Sequence, residues 1–473
     1  MSVLKGKSAP IREKRLQTVS AYLGEAGTLL QELKRGELKQ RIRTFSQAAA
    51  DDLLSVLHLL NGLDDVAVVI HGPRGCSASQ LYFDGFNERK NPWAVTNLDE
   101  HDTIMGGDES LRQAIIKLHN RYHCAGIFVV ATPVVAINND DVFSVVEELR
   151  QELGVLIIPV YTNGFKSKTG MTGYDTVLHA ALKHLPFAEG ERTKQGAEVN
   201  VLAVTENRQD MKEIKRLLAA LNLEANFLPR SGTLQSFMNA VRAQVSIGVN
   251  PDHCDYLGRV LAAYYQVPFL RLRPPLGIQG TQAWLAELGK ALGLERQVCA
   301  LHKTEKSLVA VEIARYNFTQ VKVYINLPAA LAWGVADLVE ELGAQVAGLS
   351  VSHIDQLHQP WLEDFSRTHP DISLHVAQGQ PFEQANILRR LQPDVFIGHA
   401  FDALWAAKSG IAAMAVDHLS ILGYQGVVTV ARQLKKALAN RNFGQELQES
   451  TTLPYQAPWY GKNPNWHIKL EVK

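Results

Sequence analysis

Short apolar runs that alternate with helical patterns constrain the fold of this chain more than any other feature of its sequence. The runs are rich in Val, Ile and Leu and lack the alternation of a half-buried strand, so they predict strands covered on both faces. Strands of this kind, separated by helices, form parallel sheets in α/β folds. The predicted strands are Val66–His71, Gly126–Thr132, Val155–Tyr161, Val199–Val204, Val245–Val249, Val321–Ile325, Val346–Val351, Leu374–Ala377 and Val395–Gly398.

The 473 residues are enough for about three domains of ordinary size. Charged or polar breaks at 186–194 and 297–306 separate the strand series, which predicts three doubly wound, Rossmann-like α/β domains with parallel sheets. A stripe of leucines among charged residues predicts an N-terminal helical arm; the stripe consists of Leu16, Leu23, Leu30 and Leu33. Several prolines after the last domain predict a non-helical C-terminal strap that also contains Trp. The predicted boundaries are 1–45 for the arm, 46–194, 195–304 and 305–445 for the domains, and 446–473 for the strap.

Composition excludes several classes of protein. The chain is 46% hydrophobic and 20% charged, with 48 basic and 48 acidic residues, so it is neither disordered nor basic enough to favour nucleic acid as a partner. Its apolar runs are far shorter than the roughly 20 residues that span a bilayer. No secretory signal is visible, and the four cysteines show no paired spacing, so we expect a cytoplasmic protein with reduced thiols.

The segment His71-Gly72-Pro73-Arg74-Gly75-Cys76 follows a predicted buried strand directly. It delivers Cys76 to the expected start of a helix, where backbone N–H groups and the helix dipole favour a thiolate that could bind a metal. The alternative is that the two glycines only make a tight turn and that Cys76 is a small buried side chain. The segment also differs from a phosphate-binding loop because no Gly-Lys-Ser/Thr follows, so we do not expect the chain to bind ATP.

Further segments follow in a characteristic order: Asn97-Leu98-Asp99-Glu100-His101-Asp102-Thr103-Ile104-Met105-Gly106-Gly107, Ala131-Thr132-Pro133 with Asn138-Asn139-Asp140-Asp141, Thr172-Gly173-Tyr174-Asp175 and Leu422-Gly423-Tyr424-Gln425-Gly426. Together with the Cys76 turn they resemble the nitrogenase component 1 superfamily over nearly the whole chain. That superfamily includes the catalytic nitrogenase subunits, the scaffold pair that matures their cofactor, and nitrogenase-like reductases.

The resemblance implies an iron–sulfur cluster held between two unlike subunits, with up to three cysteines from each. In this chain the three corresponding positions are Ser46, Cys76 and Thr132, so only one thiolate remains. We therefore expect a [4Fe–4S] cluster, with a larger cluster as the alternative, bound by Cys76 and by thiolates of an α-type partner. Ser46 and Thr132 are expected to lie beside the cluster, with ligation through oxygen as the weaker alternative because neutral hydroxyls bind iron poorly.

The resemblance also implies a large cofactor that α-type subunits hold with a cysteine and a histidine. The corresponding positions here are Asn250 and Leu422, so both ligands are absent and the chain is interpreted as a β-type subunit. Cys254, His399 and His418 lie near these positions and are interpreted as ordinary structural residues.

Two functions remain open at this point. In the first, the chain is part of a heterotetrameric reductase in which an ATP-hydrolysing Fe protein dimer delivers electrons through the cluster to the partner's cofactor, with methylthio-alkanes as candidate substrates. In the second, the complex is a non-catalytic scaffold for assembly of the nitrogenase iron–molybdenum cofactor. No residue of this chain is assigned to catalysis.

The carboxylates of Asp99 and Glu100 admit two interpretations. They could cap a helix in a polar loop, or they could lie beside the cluster at the subunit interface, where they would tune its potential and pair with cations of the partner.

Overall fold

The computed structural model describes residues 4, 7, 18–38, 41–43, 51–83, 91–164, 169–187, 198–203, 207–229, 232–452, 456, 458 and 468–470. The first described elements are the strand β1 (Tyr22–Glu25), the helix α1 (Ala26–Arg35) and the short strand β2 (Arg41–Arg43).

The first α/β unit is a four-stranded parallel sheet in the order β4-β3-β5-β6. Every residue of β3 and of β5 is buried, as the continuous apolar runs predict. The elements are α2 (Asp52–Leu60), β3 (Val66–His71), α3 (Arg74–Phe83), β4 (Trp93–Val95), α4 (Glu100–Met105), α5 (Asp108–Tyr122), β5 (Gly126–Ala131), α6 (Pro133–Asn138), α7 (Val142–Leu153), β6 (Leu156–Tyr161) and α8 (Thr172–His184).

The second unit contains a four-stranded parallel sheet in the order β10-β9-β7-β8. Its elements are β7 (Glu198–Leu202), α9 (Arg208–Ala219), β8 (Glu224–Leu228), α10 (Leu234–Asn239), β9 (Val245–Gly248), α11 (Pro251–Tyr265), β10 (Phe269–Leu270), α12 (Gly277–Leu292) and α13 (Glu295–Ile313). The polar stretch 297–306, predicted as a break, lies inside α13 instead. That prediction was wrong because the charged face of a long exposed helix has the same composition as a linker.

The third unit has a six-stranded sheet in the order β1-β13-β12-β11-β14-β15. Its elements are β11 (Lys322–Asn326), α14 (Ala329–Glu341), β12 (Gln345–Val351), α15 (Gln359–Thr368), β13 (Ser373–Val376), α16 (Pro381–Leu391), β14 (Val395–Gly398), α17 (Ala400–Lys408), β15 (Ala412–Ala415), α18 (Gly423–Ala439) and α19 (Arg441–Ser450). A last strand, β16 (Ile468–Leu470), pairs antiparallel with β2. The three parallel cores confirm the predicted Rossmann-like α/β class.

The N-terminal arm differs in part from its prediction. It contains the helix α1, but β1 joins the edge of the third sheet antiparallel to β13. Leu23, assigned to a helical stripe, is a buried residue of β1. Pairing with β13 supplies hydrogen bonds that no local pattern in the arm could have indicated, and it covers a sheet edge that would otherwise be exposed. Residues 8–17, including Leu16 of the predicted stripe, lie outside the described residues.

One apolar core is continuous across the second and third sheets. It contains Val201 and Ile247 from one sheet, Val323 and Leu349 from the other, and Trp284 of α12 between them. Among the helices that the structure describes, none is long and apolar enough to cross a membrane.

Asp210 of α9 links these two units. Its buried carboxylate accepts hydrogen bonds from the Ser420 hydroxyl at 2.9 Å and from the backbone N–H groups of Ile421 and Leu422 at 2.9 and 3.0 Å. This carboxylate holds the loop before α18 against the second unit, because the buried N–H groups would otherwise lack a hydrogen-bond acceptor.

We expect Asp210→Ala to lower the free energy of unfolding by about 2–5 kcal/mol, since it leaves two buried backbone donors without this acceptor. Urea unfolding of the parent and of the variant measures the difference. The exposed Asp371 provides the control, and Asp371→Ala should leave stability unchanged. Equal stability of the Asp210 variant and the parent would contradict the role assigned to this carboxylate.

Candidate functional site

The site begins where β3 ends. His71 is the last residue of this strand, Gly72 and Pro73 make the turn, and α3 begins at Arg74. Cys76 therefore lies in the first turn of α3, half-buried, at the carboxyl edge of the first sheet. The sequence prediction that a strand delivers Cys76 to a helix start agrees with this geometry.

The side chain of Thr132 lies very close to Gly72 and leaves no room for a side chain at that position. A Cβ atom at this position would stand 2.1 Å from Oγ1 and 2.7 Å from Cγ2 of Thr132, which is far inside van der Waals contact. Thr132 follows β5 directly, and its N–H donates to the carbonyl of His71 at 3.1 Å. The adjacent ends of β3 and β5 can therefore meet at this point only with glycine at position 72.

The segment after β4 is hydrogen-bonded to the same turn. Gly72 N–H donates to the Thr96 hydroxyl at 2.9 Å, and Leu98 N–H donates to the Gly72 carbonyl at 3.2 Å. Arg74 Nε donates to the Asn97 side-chain oxygen at 3.0 Å. These bonds fix the beginning of the Asn97–Gly107 segment against the Cys76 turn.

A buried contact between His71 and Asp140 joins the Cys76 turn to the segment that follows α6. Nε2 of His71 lies 3.4 Å from Oδ2 of Asp140, and both side chains are almost completely buried. Gly107 packs against both, since a Cβ there would stand 2.9 Å from Cε1 of His71 and 3.2 Å from the Asp140 carboxylate. Burial lowers the pKa of His71 to about 4, although the Asp102 carboxylate opposes this, so the imidazole is neutral at pH 7.

The glycine of the Thr172-Gly173-Tyr174-Asp175 segment has a packing role. A Cβ at Gly173 would stand 2.1 Å from the carbonyl oxygen of Asp52 in α2, so only glycine allows α8 to approach α2 this closely. The Asp52 carboxylate in turn accepts the N–H groups of Asn163 and Gly164, each at 2.9 Å, and so holds α2 at the end of β6.

The Cys76 thiol is less acidic than its place at a helix start predicts. Burial raises its pKa, the Thr132 hydroxyl acts in the opposite direction through a hydrogen bond, and the nearby carboxylate of Asp51 raises the pKa further. In the isolated chain, burial and the Asp51 carboxylate therefore outweigh the stabilisation of a thiolate that the helix start would provide. A cation that binds the sulfur would restore the thiolate, because it supplies the positive charge that the protein does not.

Among the described residues, the donor groups around Cys76 fit one ligand position of an iron–sulfur cluster and not a complete site. One thiol, one hydroxyl and one carboxylate lie together here, whereas a [4Fe–4S] cluster takes four thiolates. Ser46, the other predicted neighbour, lies outside the described residues.

Five exposed large hydrophobic side chains surround this edge of the first sheet. They project from α4, α6, the start of α7 and the end of β6, which all border the carboxyl ends of the strands. We call this group the carboxyl-edge apolar surface: Ile104, Met105, Ile137, Phe143 and Tyr161, which are 81%, 72%, 72%, 56% and 47% exposed. Exposed apolar side chains concentrated at one edge are typical of a surface that a partner covers.

The chain matches a known protein family over most of its length. The family model described as nitrogenase component 1 type oxidoreductase matches residues 53–439. The chain belongs to this family. The match covers the parallel strands of all three sheets and the Cys76 turn.

Individual relatives are distant. A nitrogenase iron-molybdenum cofactor biosynthesis protein NifE from Methanococcus maripaludis is 24% identical over 404 residues, covering 80% of each chain. A nitrogenase molybdenum-iron protein alpha chain from Methanosarcina barkeri is 25% identical over 441 residues, covering 80% of this chain and 83% of the relative. A solved structure titled "Nitrogenase Cp1 at pH 5" superposes with a TM-score of 0.74 at 16% identity, covering 88% and 92% of the two chains. These matches identify the family and fold, not the subunit type.

Two positions predicted to lack the ligands of a large cofactor have structural roles. The Asn250 side chain caps α11 by accepting the Asp252 N–H at 3.1 Å, and Leu422 is a fully buried residue that precedes α18. His399 lies 3.1 Å from Asp417 at the end of β14. Cys254 is buried in the core, Cys124 is half-buried and Cys299 is exposed on α13.

The two carboxylates singled out in the sequence lie near the site in different roles. Asp99 is the N-cap of α4 and accepts the Asp102 N–H at 2.9 Å. Glu100 is exposed in the first turn of the same helix, whose last residues are Ile104 and Met105 of the apolar surface. The sequence did not single out Thr96 or the contact between His71 and Asp140, because only the folded chain brings their segments together.

We expect Gly72→Ala to destabilise the chain by about 1–3 kcal/mol, since the added methyl group overlaps Thr132. Gly75→Ala is the matched control three residues later, because a Cβ there meets nothing within 4 Å. Chemical denaturation of both variants checks this. If they are equally stable, the close approach of Thr132 to Gly72 is not a constraint on the fold.

The buried neutral His71 also predicts a pH dependence of stability. Its pKa of about 4 in the fold lies below the ordinary value of 6.5, so the unfolded chain binds the proton first and stability falls as pH falls from about 6.5 to 4. Between pH 7 and 5 this single group should cost about 2 kcal/mol. His71→Gln should flatten the decline by that amount in urea unfolding, with the rest due to other groups such as His184. The exposed His123 is the control, and the interpretation fails if His123→Gln flattens the decline equally.

Proposed function

We propose that this chain is the cluster-sharing subunit of a nitrogenase component 1-like complex and that Cys76 is its ligand to an iron–sulfur cluster. The observation that carries the proposal is the placement of Cys76, half-buried at the carboxyl edge of the first sheet and bordered by the carboxyl-edge apolar surface. A thiol in this position can be reached by a second subunit that covers the edge.

The number of ligands supports a shared site. Cys76 contributes one thiolate, and the partner subunit contributes the other three that a [4Fe–4S] cluster takes. Ser46 and Thr132 are the neighbours of the cluster in this proposal, and the Thr132 hydroxyl lies near enough to the sulfur to lower the pKa of the Cys76 thiol. When bound, the cluster supplies one-electron transfer.

The carboxyl-edge apolar surface supports the proposal that a partner subunit binds this chain. Five side chains that are about half or more exposed leave apolar area in water, and an obligate interface would bury it. Asp99 holds α4 in place as its cap, and Glu100 beside it is free to meet a cation of the partner at the rim of the interface. We propose an α-type partner in a heterotetramer, with this chain in the β-type position.

The absence of a thiol or imidazole at positions 250 and 422 supports a division of roles. Asn250 is used as a helix cap and Leu422 as a core residue, so the partner holds the catalytic metallocluster in this proposal. An ATP-hydrolysing Fe protein dimer delivers the electrons, and the site at Cys76 receives them. The reaction is then a reduction of a small molecule, with reductive cleavage of the C–S bond of methylthio-alkanes as the substrate class to test first.

A second candidate function rests on a specific observation. The NifE relative is named for iron–molybdenum cofactor biosynthesis, which favours a scaffold complex with the same shared cluster and no turnover. The two functions differ in a measurable product. The purified complex with its Fe protein and ATP should reduce thioethers, dinitrogen or acetylene in the first case. In the second it should reduce none of them and should instead transfer a cofactor to an acceptor nitrogenase that lacks it.

The decisive prediction for either function concerns the thiol. Cys76→Ala should lower the iron content of the purified complex and remove the EPR signal of the reduced cluster, because a neutral methyl group cannot bind iron. The matched controls are Cys124→Ala and Cys299→Ala, which should keep the iron content of the parent. Unchanged iron in the Cys76 variant would overturn the assignment.

A further inference from the structure

A second group of potential metal ligands lies deep in the molecule, apart from the Cys76 turn. Asp252 is in the first turn of α11, whereas His353, Asp355 and His358 lie in the loop between β12 and α15. All four residues are 2% exposed or less. One nitrogen or oxygen atom of each lies within 4.8 Å of the corresponding atoms of the other three. The loop thus meets the second unit through two imidazoles and two carboxylates.

We propose that Asp252, His353, Asp355 and His358 bind one divalent transition-metal ion, with zinc as the ion that fits best. The ion would join α11 of the second unit to the β12–α15 loop of the third. This site is independent of the iron–sulfur cluster proposed at Cys76.

The distances match those between the ligands of such an ion. Oδ1 of Asp252 lies 3.1 Å from Nε2 of His358 and 3.8 Å from Nε2 of His353, and this last nitrogen lies 3.6 Å from Oδ2 of Asp355. A tetrahedral ion with bonds of about 2.0–2.1 Å to imidazole and carboxylate holds its ligand atoms about 3.3 Å apart. These three distances lie within about half an ångström of the tetrahedral value, and the other separations are at most 4.8 Å.

Several polar atoms of the cluster have no hydrogen bond of good geometry. Nε2 of His353, Nε2 of His358 and Oδ2 of Asp355 are buried and make no hydrogen bond within the described part of the chain, although each has another member of the cluster nearby. Buried polar atoms that point at one another without forming hydrogen bonds are rare in proteins, and a shared ion between them satisfies all of them.

One of the two histidines has its other ring nitrogen placed as a metal-bound histidine requires. Nδ1 of His353 lies 3.1 Å from the Ser352 hydroxyl, and an Nδ1–H that donates to this oxygen fixes the ring and leaves the Nε2 lone pair for the ion. Nδ1 of His358 instead accepts the Asp355 backbone N–H at 3.2 Å, so an ion at Nε2 of His358 would have to displace the proton of that nitrogen. The loop itself is held by a two-way backbone bridge between Ile354 and Val19, at 2.7 and 2.9 Å.

Charge favours a divalent ion over a proton. Two buried carboxylates bring two negative charges into a nearly water-free site, and a 2+ ion neutralises both. Imidazole and carboxylate donors without thiolate suit zinc and its first-row neighbours, and four protein ligands with no open position indicate a structural ion.

The experiment uses the full chain, purified with its partner where one is required, and measures metals by mass spectrometry. We expect one equivalent of zinc or a neighbouring divalent ion per chain beyond the cluster iron, retained in Cys76→Ala and lost in His353→Gln and in Asp355→Asn. His375→Gln is the matched control, because His375 is an equally buried histidine whose Nε2 already bonds Glu383 at 2.8 Å, and this variant should keep the ion.

A second measurement does not depend on the variants folding. After treatment with a chelator, addition of Co²⁺ to the parent chain should produce the visible d–d absorption of a tetrahedral site, and Zn²⁺ should abolish that absorption and raise the melting temperature. The absence of an extra ion, of the cobalt bands and of any shift in melting temperature would show that the cluster is an ion-pair network and would overturn the proposal. Unchanged iron in Cys76→Ala together with the retained ion would overturn only the assignment of Cys76 and would leave this proposal standing.

Discussion

The close approach of Thr132 to Gly72 is the constraint on which the rest of the first unit depends. Two parallel strands end side by side, and the side chain that follows one of them fills the space where the other would carry a Cβ atom. The Gly72 N–H donates to the Thr96 hydroxyl and the Gly72 carbonyl accepts from the Leu98 N–H, so the segment after β4 is held on the same turn. Cys76 follows in the first turn of α3, and its thiol lies near the Thr132 hydroxyl.

The predictability of the fold follows from what determines each element. β3, β5 and β14 are buried on both faces, so their apolar runs are visible in the sequence and their predicted bounds agree with the structure to within a residue. The strands β1 and β8 are different. Both carry polar residues, as the β8 sequence EANFL shows, and each takes its strand conformation by pairing with a segment that is distant in the chain. Pairing of that kind is a tertiary effect, and a local pattern does not contain it.

The same distinction between local and tertiary features applies to the candidate site. Cys76 could be found because a strand, a glycine turn and a cysteine are consecutive in the chain, and Asp99 could be recognised as a possible cap from its place before a helix. The direction of the shift in the pKa of Cys76 could not be predicted from the sequence. It depends on burial and on the Asp51 carboxylate, which only the fold brings near the thiol. Likewise the spacing of His353, Asp355 and His358 is visible in the sequence, but its fourth member, Asp252, lies about a hundred residues earlier.

The two metal sites inferred here are separated by the chemistry of their donors as well as by position. Cys76 offers a soft sulfur at an edge that a partner can cover, whereas the Asp252 cluster offers imidazole and carboxylate groups in a closed interior. In the two proposals, the soft sulfur would favour iron–sulfur chemistry at the first site and the imidazole and carboxylate groups would favour a borderline divalent ion at the second, so the two sites would not compete for one metal. The interior ion would join the second and third units, whose core is already continuous, and the first unit with its apolar edge would remain the part of the chain that a partner subunit covers.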